Sequence, residues 1–230
     1  AYVADRDHMT DVDESALLDP AYLKSRAALI DANHAQNFGA GAPKQGGTVL
    51  LNVGDASGMM VSFIQSNYAG FGSGVVVPGT GVSMQNRGFG FTTQEGHQNQ
   101  VAPGKRPFHT IIPGFAMKNG APLMAFGMMG GPIQAQGHMQ LLLRTQLWDQ
   151  DPQTAADAPR WRAIEGLAVA CEPSMSADLL DGLKALGHAI QIEAPDNAFG
   201  FGGAQLVQRT DNGGYAAGSD PRKDGQAAGF

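Results

Sequence analysis

Thr48 is the residue whose position in the sequence most clearly indicates a chemical role. It follows two glycines, Gly46 and Gly47, and begins a β-like run that continues to Val53. A threonine hydroxyl is a weak nucleophile that needs an adjacent base, and the sequence shows no obvious Ser/His/Asp or Cys/His set. Cleavage after Gly47 would give Thr48 an α-amine with an ordinary pKa of about 7.7 to 8.0, held near its hydroxyl as that base. We therefore interpret Thr48 as a nucleophile that first cuts its own chain, against the alternative of an ordinary β-branched strand residue.

Two other features carry chemistry, each with a plainer alternative. The pair Gly130-Gly131 is either a permissive turn or two adjacent N–H groups at a helix start that bind one oxyanion. Arg87 is either a solvated surface charge or a fixed cation for a substrate carboxylate. The histidines lack metal-ligand spacing, and the single cysteine, Cys171, fits no metal pattern. The sequence therefore predicts no metal site.

Composition narrows the classes of partner. A net charge of −6 argues against a nucleic-acid surface. No run of 18 consecutive apolar residues is present, so no membrane span is expected. The 32 glycines are about twice the usual share, which suits a strand-rich protein whose backbone approaches a ligand closely. One cysteine excludes an internal disulfide framework and leaves the compartment, periplasmic or cytoplasmic, undecided.

Apolar patterning predicts hairpins with helices between them. Pairs of apolar runs around turn residues predict the hairpins Val49–Val53 with Met59–Ser66, Thr110–Met117 with Leu123–Met128, and Ala204–Thr210 with Tyr215–Gly218. Helical spacing and end signals predict helices over Ala21–Ile30, Met139–Trp148, Pro152–Ala158 and Ser176–Leu186. Leu167–Cys171 is a predicted strand, Arg160–Arg162 a predicted strand edge with arginine–aromatic contacts, and Arg87–Pro107 a predicted long loop. This order of elements predicts stacked sheets flanked by helices.

The segment Asn37–Gly47 is predicted to be an exposed linker. It contains four glycines and a proline with few apolar residues, and such segments are common sites of chain cleavage. The N-terminus has neither an initiating methionine nor a signal-peptide pattern, so the sequence reads as though it begins within a protein.

From these motifs the chain resembles the γ-glutamyltransferase family of N-terminal-nucleophile hydrolases over nearly its whole length. The motifs that carry the resemblance are Thr48 with Asp55–Gly58, Phe71–Gly74, Gly104–Pro107, Gly130-Gly131 and Ser219–Arg222. The resemblance implies an α+β fold, the four-layer αββα sandwich of a proenzyme, with the front part of the large subunit absent. Residues 1–47 would be the tail of the large subunit and a linker, and residues 48–230 the small catalytic subunit.

The resemblance also implies a mechanism without a metal or organic cofactor. Autocatalytic cleavage between Gly47 and Thr48 frees Thr48 as the nucleophile, and the N–H groups of Gly130 and Gly131 form the oxyanion hole. The reaction is the transfer of a γ-glutamyl or related acyl group from an amide to water or an amine, as in a glutathione hydrolase. The remainder of the large subunit is an implied partner, because in the family it supplies an arginine for the substrate carboxylate.

Three substrate-binding positions come from the same resemblance. Ser66 stands where the family has a threonine near the amine of the nucleophile. His109 and Thr110 stand where many members have two serines that contact the substrate carboxylate.

The segment Gln85–Phe91 departs from the pattern of well-studied members. Gly90 replaces the acidic residue that would hold the substrate ammonium, and Arg87 replaces a glutamine. Loss of a buried carboxylate partner is expected to cost about 2 to 5 kcal/mol of ammonium recognition. This form resembles the γ-glutamyltransferase-like or cephalosporin acylase branch. A glutaryl or cephalosporin acylase is therefore the first alternative, with Gly90 leaving room where no ammonium binds, and an inactive isolated fragment is the second.

Overall fold

The chain divides into two compact units, Ala1–Gly46 and Gly47–Phe230. The structure, a computed structural model, describes residues 19–28, 48–95, 97, 99–193 and 200–230. No helix among these residues has the length and apolar character needed to cross a bilayer.

The described part of the first unit is helix α1, Pro20–Ala27. It overlaps the helix predicted over Ala21–Ile30 and begins at a proline, whose fixed φ suits a first helical position. Ile30, the predicted linker Asn37–Gly47 and the predicted cleavage residue Gly47 lie outside the described residues.

The second unit combines strands and helices, so the chain is α+β. Its described elements in chain order are β1 (Thr48–Gly54), β2 (Met60–Ser66), a 3-10 turn (Arg87–Gly90), β3 (Gly114–Lys118), β4 (Ala121–Met129), α2 (Ile133–Leu142), a π-helical turn (Leu143–Leu147), α3 (Pro152–Asp157), β5 (Trp161–Ala163), β6 (Ala168–Cys171), α4 (Ala177–Ala185), β7 (Ala189–Ile192), β8 (Gly203–Arg209) and β9 (Tyr215–Ser219).

The predicted first hairpin is confirmed as the antiparallel pair β1–β2. Its turn closes on Asp55, whose Oδ1 accepts hydrogen bonds from the Ser57 hydroxyl at 2.6 Å and the Ser57 N–H at 2.8 Å. These bonds, the hydroxyl bond first, lower the pKa of the Asp55 carboxyl. Gly58 completes the turn at a φ of +88°, a left-handed conformation that glycine adopts without strain.

The other two predicted hairpins join in one antiparallel sheet of order β3-β4-β8-β9. Asn119 and Gly120 form the β3–β4 turn at φ values of +53° and +79°, as a tight hairpin turn requires. The prediction that the strand starts at Thr110 is wrong, because β3 begins at Gly114. Pro113, directly before it, has no N–H to donate to a ladder.

The β1–β2 hairpin packs on one face of this sheet. Asn52 Nδ2 donates to the Gln205 carbonyl at 2.8 Å, and Ser62 Oγ donates to the Phe126 carbonyl at 3.3 Å. A Cβ on Gly127 would lie 2.8 Å from Leu50, so β4 keeps a glycine where the hairpin approaches.

Helices α2 and α3 cover the opposite face. Side chains of β4 alternate between faces, and the helix-facing set makes the main core with residues of β8. That core consists of Met124, Phe126, Met128, Ile133, Leu141, Ala155, Ala156, Ala204 and Leu206. The second unit therefore has a hairpin, a sheet and a helical layer in that order.

Helix α2 begins at Ile133, six residues before the predicted start at Met139. In its first half, two of the buried positions are occupied by Gln134 and Gly137 rather than by large apolar residues. Gly137 lies against Met128 of β4. A Cβ on Gly137 would lie 2.2 Å from Met128 Sδ, so the close helix–sheet contact hides the apolar signal. The last predicted turn is a separate π-helical turn, Leu143–Leu147.

A small sheet of order β5-β6-β7 stands on its own core of Val169, Cys171 and Met175. Helix α4 links β6 to the parallel strand β7, which the sequence did not predict. Ser176 caps α4 through a bond from Leu179 N–H at 3.4 Å, and Gly187 follows its end at a φ of +96°. Burial raises the pKa of the Cys171 thiol.

The arginine–aromatic contacts predicted at Arg160–Arg162 are replaced by ion pairs. The strand edge expected at Arg160–Arg162 is confirmed by β5, but carboxylates rather than aromatic rings bind both arginines. Arg160 pairs with Asp220 at 2.5 Å, where both side chains are almost fully buried. Arg162 pairs with Glu193 at 2.6 Å.

Candidate active site

The hydroxyl of Thr48, the predicted nucleophile, lies close to a second hydroxyl: Thr48 Oγ1 is 2.9 Å from Ser66 Oγ. The two residues are direct partners in the β1–β2 register, with their side chains on the same, half-buried face. Ser66 Oγ also accepts a hydrogen bond from the Tyr68 N–H at 2.9 Å. The hairpin therefore fixes the Thr48 hydroxyl through a second hydroxyl that is itself anchored to the backbone.

Thr48 lines a cavity of about 430 Å³, which lies within the usual size of small-molecule sites. Strand ends, the loop after β2 and the start of α2 all contribute to its wall. The lining residues are Thr48, Ser66, Tyr68, Ala69, Asn86, Arg87, Phe89, Thr110, Gly130, Gly131, Pro132 and Gln134.

Gly130 and Gly131 join β4 to α2 at this cavity. Their φ values are +133° and +67°, which side-chain-bearing residues rarely adopt. A Cβ on Gly130 would lie 2.7 Å from Ile133 and 2.8 Å from the Gly202 Cα, whereas a Cβ on Gly131 would meet open space. The pair thus stands at the N-terminus of a ten-residue helix, where unpaired N–H groups and the helix dipole favour negative charge.

Arg87 places a positive charge at the same cavity. Its Cζ lies 5.3 Å from the centre of the Tyr68 ring, within the range of a cation–π contact. Partial burial lowers the pKa of Arg87, and the Tyr68 phenol opposes that shift. Arginine remains protonated in proteins, so the cavity contains a fixed cation.

The Tyr68 backbone is held in a strained conformation. Its φ is +77°, unusual for a residue with a bulky side chain. Asn86 secures the segment, because its Oδ1 accepts from the Ala69 N–H at 3.1 Å and its own N–H donates to the Asn67 carbonyl at 3.1 Å. Strain of this kind persists where surrounding bonds fix it, and here it sets the ring beneath Arg87.

Gly90 does not leave empty space in the cavity, contrary to the expectation for an acylase. It is absent from the cavity wall, and a Cβ at this position would lie 2.1 Å from the Phe108 carbonyl oxygen. Position 90 is therefore a close approach of two backbone segments that excludes any side chain.

The structure brings together most of the predicted site residues but not all. Those that line the cavity are Thr48, Ser66, Arg87, Thr110, Gly130 and Gly131. His109 is not among the lining residues, and its Nδ1 accepts a hydrogen bond from the Ile111 N–H at 3.2 Å. Gly47 lies outside the described residues, so the cleavage site remains a prediction, as do the individual roles.

Sequence reasoning missed several residues of the wall. Asn86 and Phe89 lie within two residues of Arg87, so the position of Arg87 in the sequence is a usable signal for both. Gln134 follows the glycine pair by one helical turn, and a wider view of that helix start would have found it. Tyr68 gave no signal, because only its backbone conformation and its contact with Arg87 reveal it.

Comparison with known proteins shows which family this chain resembles. The family model described as gamma-glutamyltranspeptidase matches residues 1–230. The oxamate amidohydrolase proenzyme of Klebsiella pneumoniae subsp. pneumoniae is 38% identical over 237 residues, which cover 100% of this chain and 44% of that protein. The glutathione hydrolase-like YwrD proenzyme of Bacillus subtilis is 34% identical over 229 residues, or 96% of this chain and 42% of that protein.

A solved structure agrees with these relatives. The crystal structure of cephalosporin acylase from Bacillus halodurans superposes with a TM-score of 0.74 at 45% identity, over 100% of this chain and 41% of that chain. The chain thus spans less than half the length of the two proenzymes named above. The predicted resemblance is confirmed: the chain belongs to the gamma-glutamyltranspeptidase family.

Proposed function

We propose that this chain carries the catalytic half of an N-terminal-nucleophile acyltransferase or amidohydrolase. The observation that carries the proposal is the shared cavity of Thr48, Ser66 and the Gly130-Gly131 pair. The nucleophile and the oxyanion donors must flank one reacting carbonyl, and a single cavity meets that requirement. The relatives named above are an oxamate amidohydrolase proenzyme, a glutathione hydrolase-like proenzyme and a cephalosporin acylase, and their names support this proposal.

The reaction proceeds in two halves. Self-cleavage between Gly47 and Thr48 frees the α-amine, which takes the Oγ1 proton, directly or through one water, as Oγ1 attacks the amide carbonyl. The N–H groups of Gly130 and Gly131 stabilise the oxyanion, and the leaving amine departs with a proton from the Thr48 ammonium. Water or an acceptor amine then attacks the acyl-enzyme ester and regenerates Thr48, with no cofactor required.

The substrate class is an amide whose acyl part carries a carboxylate. Arg87 supplies the charge for that group, and Thr110 adds a hydroxyl at the same wall. Oxalyl, glutaryl and γ-glutamyl groups all fit this description. Position 90 excludes a carboxylate side chain, so we propose that recognition of an α-ammonium there is weak and that glutaryl-type acyl groups are preferred.

The partner is the remainder of the large subunit, and it completes the four-layer αββα fold. The outward face of the β1–β2 hairpin carries exposed apolar side chains, of which Val49 is 65% and Phe63 56% exposed. The inward face instead carries polar groups such as Asn52 and Ser62. Apolar strand faces are normally buried, so we propose that helices of the missing segment cover this face as the fourth layer.

A paired mutation in the full-length protein tests the proposal. Thr48→Ala is expected to leave one uncut chain by intact mass and no acyl transfer to hydroxylamine or water. Thr80→Ala is the control, because Thr80 lies in an exposed turn outside the cavity wall and is expected to leave both processing and turnover unchanged. Normal cleavage at Gly47–Thr48 in the alanine variant would overturn the mechanism.

Substrate preference needs a separate comparison. Glutaryl and γ-glutamyl anilides offered to one preparation distinguish the proposed preference from γ-glutamyl specificity, and a higher kcat/KM for the γ-glutamyl anilide would contradict it. The 230-residue chain assayed without the rest of the large subunit is expected to be inactive, because the outer layer is then absent.

A further inference from the structure

Gln134 is a buried residue of the cavity that the mechanism above does not use. It lies in the first turn of α2, three residues after Gly131, and exposes only 8% of its surface. Its Oε1 is buried and has no hydrogen-bond partner among the described residues. The structure thus leaves one amide oxygen unpaired in the wall that also carries Thr48.

An unpaired buried acceptor is unusual and costly. Buried side-chain amides in native proteins are nearly always hydrogen-bonded. The same helix provides the contrast: Gln140 is equally buried at 6% exposed, but its Nε2 donates to the Trp161 carbonyl at 2.8 Å and its Oε1 accepts from the Trp161 N–H at 3.3 Å. Helix α2 therefore satisfies the buried glutamine of its core side and leaves the glutamine of its cavity side unsatisfied.

A donor that enters the cavity would satisfy this oxygen. The terminal torsion of a glutamine is broad, so the amide group can rotate and turn Oε1 toward a ligand without leaving its rotamer. A carbonyl oxygen accepts and never donates, so it cannot serve a substrate carboxylate, which Arg87 already suits. The donor that every substrate of the proposed function brings is the N–H of the scissile amide.

We propose that Gln134 is a specificity-determining residue whose Oε1 accepts a hydrogen bond from the scissile amide N–H of the substrate. The inference rests on the proposed function, because it needs an amide held between Thr48 and the glycine pair. It predicts selection of amides over esters of the same acid, since an ester oxygen offers no proton and leaves the acceptor unpaired.

The test compares an anilide and a phenyl ester of one acyl group, glutaryl or γ-glutamyl, whichever the full-length wild type turns over faster. Gln134→Met keeps the length of the side chain and removes the acceptor. It is expected to lower kcat/KM for the anilide about tenfold while the ester changes less than about twofold. Gln140→Met is the matched control, which is expected to reduce thermal stability without changing the anilide-to-ester ratio.

A second variant distinguishes loss of the acceptor from a disturbance of the structure at position 134. Gln134→Glu retains an acceptor of the same shape and is expected to keep the preference for the anilide. An unchanged ratio in folded Gln134→Met, or loss of the ratio in folded Gln134→Glu, would overturn the proposal. An equal loss on both substrates with a shifted pH profile would assign Gln134 to the Thr48 amine instead, and would also overturn it.

Failure of the underlying function gives a different result. A wild type that is inactive on both anilide and ester would refute the proposed acyl transfer, and the role of Gln134 would fall with it. An active wild type with an unchanged variant ratio would refute the role of Gln134 alone.

Discussion

Thr48 Oγ1 and Ser66 Oγ lie 2.9 Å apart because the register of the β1–β2 hairpin makes the two residues direct partners. The position of the proposed nucleophile thus depends on the register of the whole hairpin, which the Asp55 turn sets at one end and which ends at the Thr48–Ser66 pair at the cavity. A register shift of one residue would turn Thr48 to the other face and remove it from the site.

Removal of the Ser66 hydroxyl is expected to slow acyl transfer. Ser66→Ala deletes the bond to Thr48 and the acceptor for the Tyr68 N–H. A hydrogen bond of this kind contributes about 0.5 to 1.5 kcal/mol, so kcat/KM is expected to fall by up to about tenfold. Ser66→Thr keeps a hydroxyl and is expected to retain most activity.

The same strand offers a control for this change. Ser62 Oγ donates to Asn52 Oδ1 at 2.5 Å, away from the cavity wall. Ser62→Ala is expected to lower stability while leaving kcat/KM near the wild-type value. Equal kinetic losses in the two alanine variants would show that Ser66 acts only through the stability of the hairpin.

Restoring an acidic residue at position 90 is expected to fail. The Cβ of Gly90→Asp would lie 2.1 Å from the Phe108 carbonyl oxygen, so one backbone segment must move. We expect a loss of about 1 to 3 kcal/mol of stability from overpacking and no gain in γ-glutamyl turnover. Gly88→Asp is the control in the same 3-10 turn, because nothing lies within 4 Å of a Cβ there. Improved γ-glutamyl kcat/KM in Gly90→Asp would show that the backbone adapts and that the substrate ammonium binds at this position.

The ion cluster of Arg160, Glu172, Asp220 and Arg222 is expected to contribute strongly to stability. Asp220 pairs with Arg160 at 2.5 Å and with Arg222 at 3.1 Å, and its Oδ2 also accepts from the Ala204 N–H at 2.7 Å. Arg222 binds Glu172 at 2.6 Å. Burial acts to lower the pKa of Arg222, but the hydrogen bonds and charges of Glu172 and Asp220 together outweigh it and raise the pKa. The cluster thus joins β5, β6, β8 and the end of β9.

Asp220→Asn is expected to reduce the free energy of unfolding by about 3 to 5 kcal/mol, because it leaves the buried Arg160 guanidinium without its charge partner. Urea denaturation measures the loss. The exposed pair of Lys184 and Asp181, 2.9 Å apart, provides the comparison, and Asp181→Asn is expected to cost less than about 1 kcal/mol. A similar small cost for Asp220→Asn would contradict the assigned role of the cluster.

Local patterns in the sequence were sufficient to predict the three hairpins, apart from the start of β3, and to single out Thr48 and the Gly130-Gly131 pair, which line one cavity. The turn at Asn119-Gly120 and the position of Thr48 after two glycines each carry their own short-range signal. Long-range contacts were not readable in the same way. The approach of Gly90 to Phe108 and the pairing of Arg160 with Asp220 join segments that are distant in sequence, and no local pattern specifies which segments meet.

Helix α2 shows why a boundary was missed. Its first turns bury Gln134 and place Gly137 against Met128, so the apolar periodicity that marks a buried helix begins only near Met139. The residues that depart from the pattern are those that face the cavity or the closest part of the sheet. Departures from local rules are expected at functional positions.

His138 is expected to make the free energy of unfolding depend on pH. Its Nε2 accepts a hydrogen bond from the Met128 N–H at 3.1 Å, an arrangement that requires the neutral ring. Burial lowers the pKa of His138 below its ordinary value of 6.5, so the unfolded chain binds a proton more readily than the folded one. Stability from this group is therefore complete above about pH 6.5 and decreases as the pH falls toward the lowered folded value.

Urea denaturation at several pH values between about 5 and 8 measures this contribution. The wild type is expected to lose stability on acidification through the window below pH 6.5, beyond any loss in His138→Gln, because a glutamine amide oxygen accepts from the Met128 N–H without titrating. The difference between the two proteins isolates His138 from the other histidines. Since Met128 lies in β4 just before Gly130, protonation is also expected to disturb the glycine pair and lower kcat over the same window. Parallel pH curves for wild type and His138→Gln would contradict both expectations, because the titrating group would then lie elsewhere.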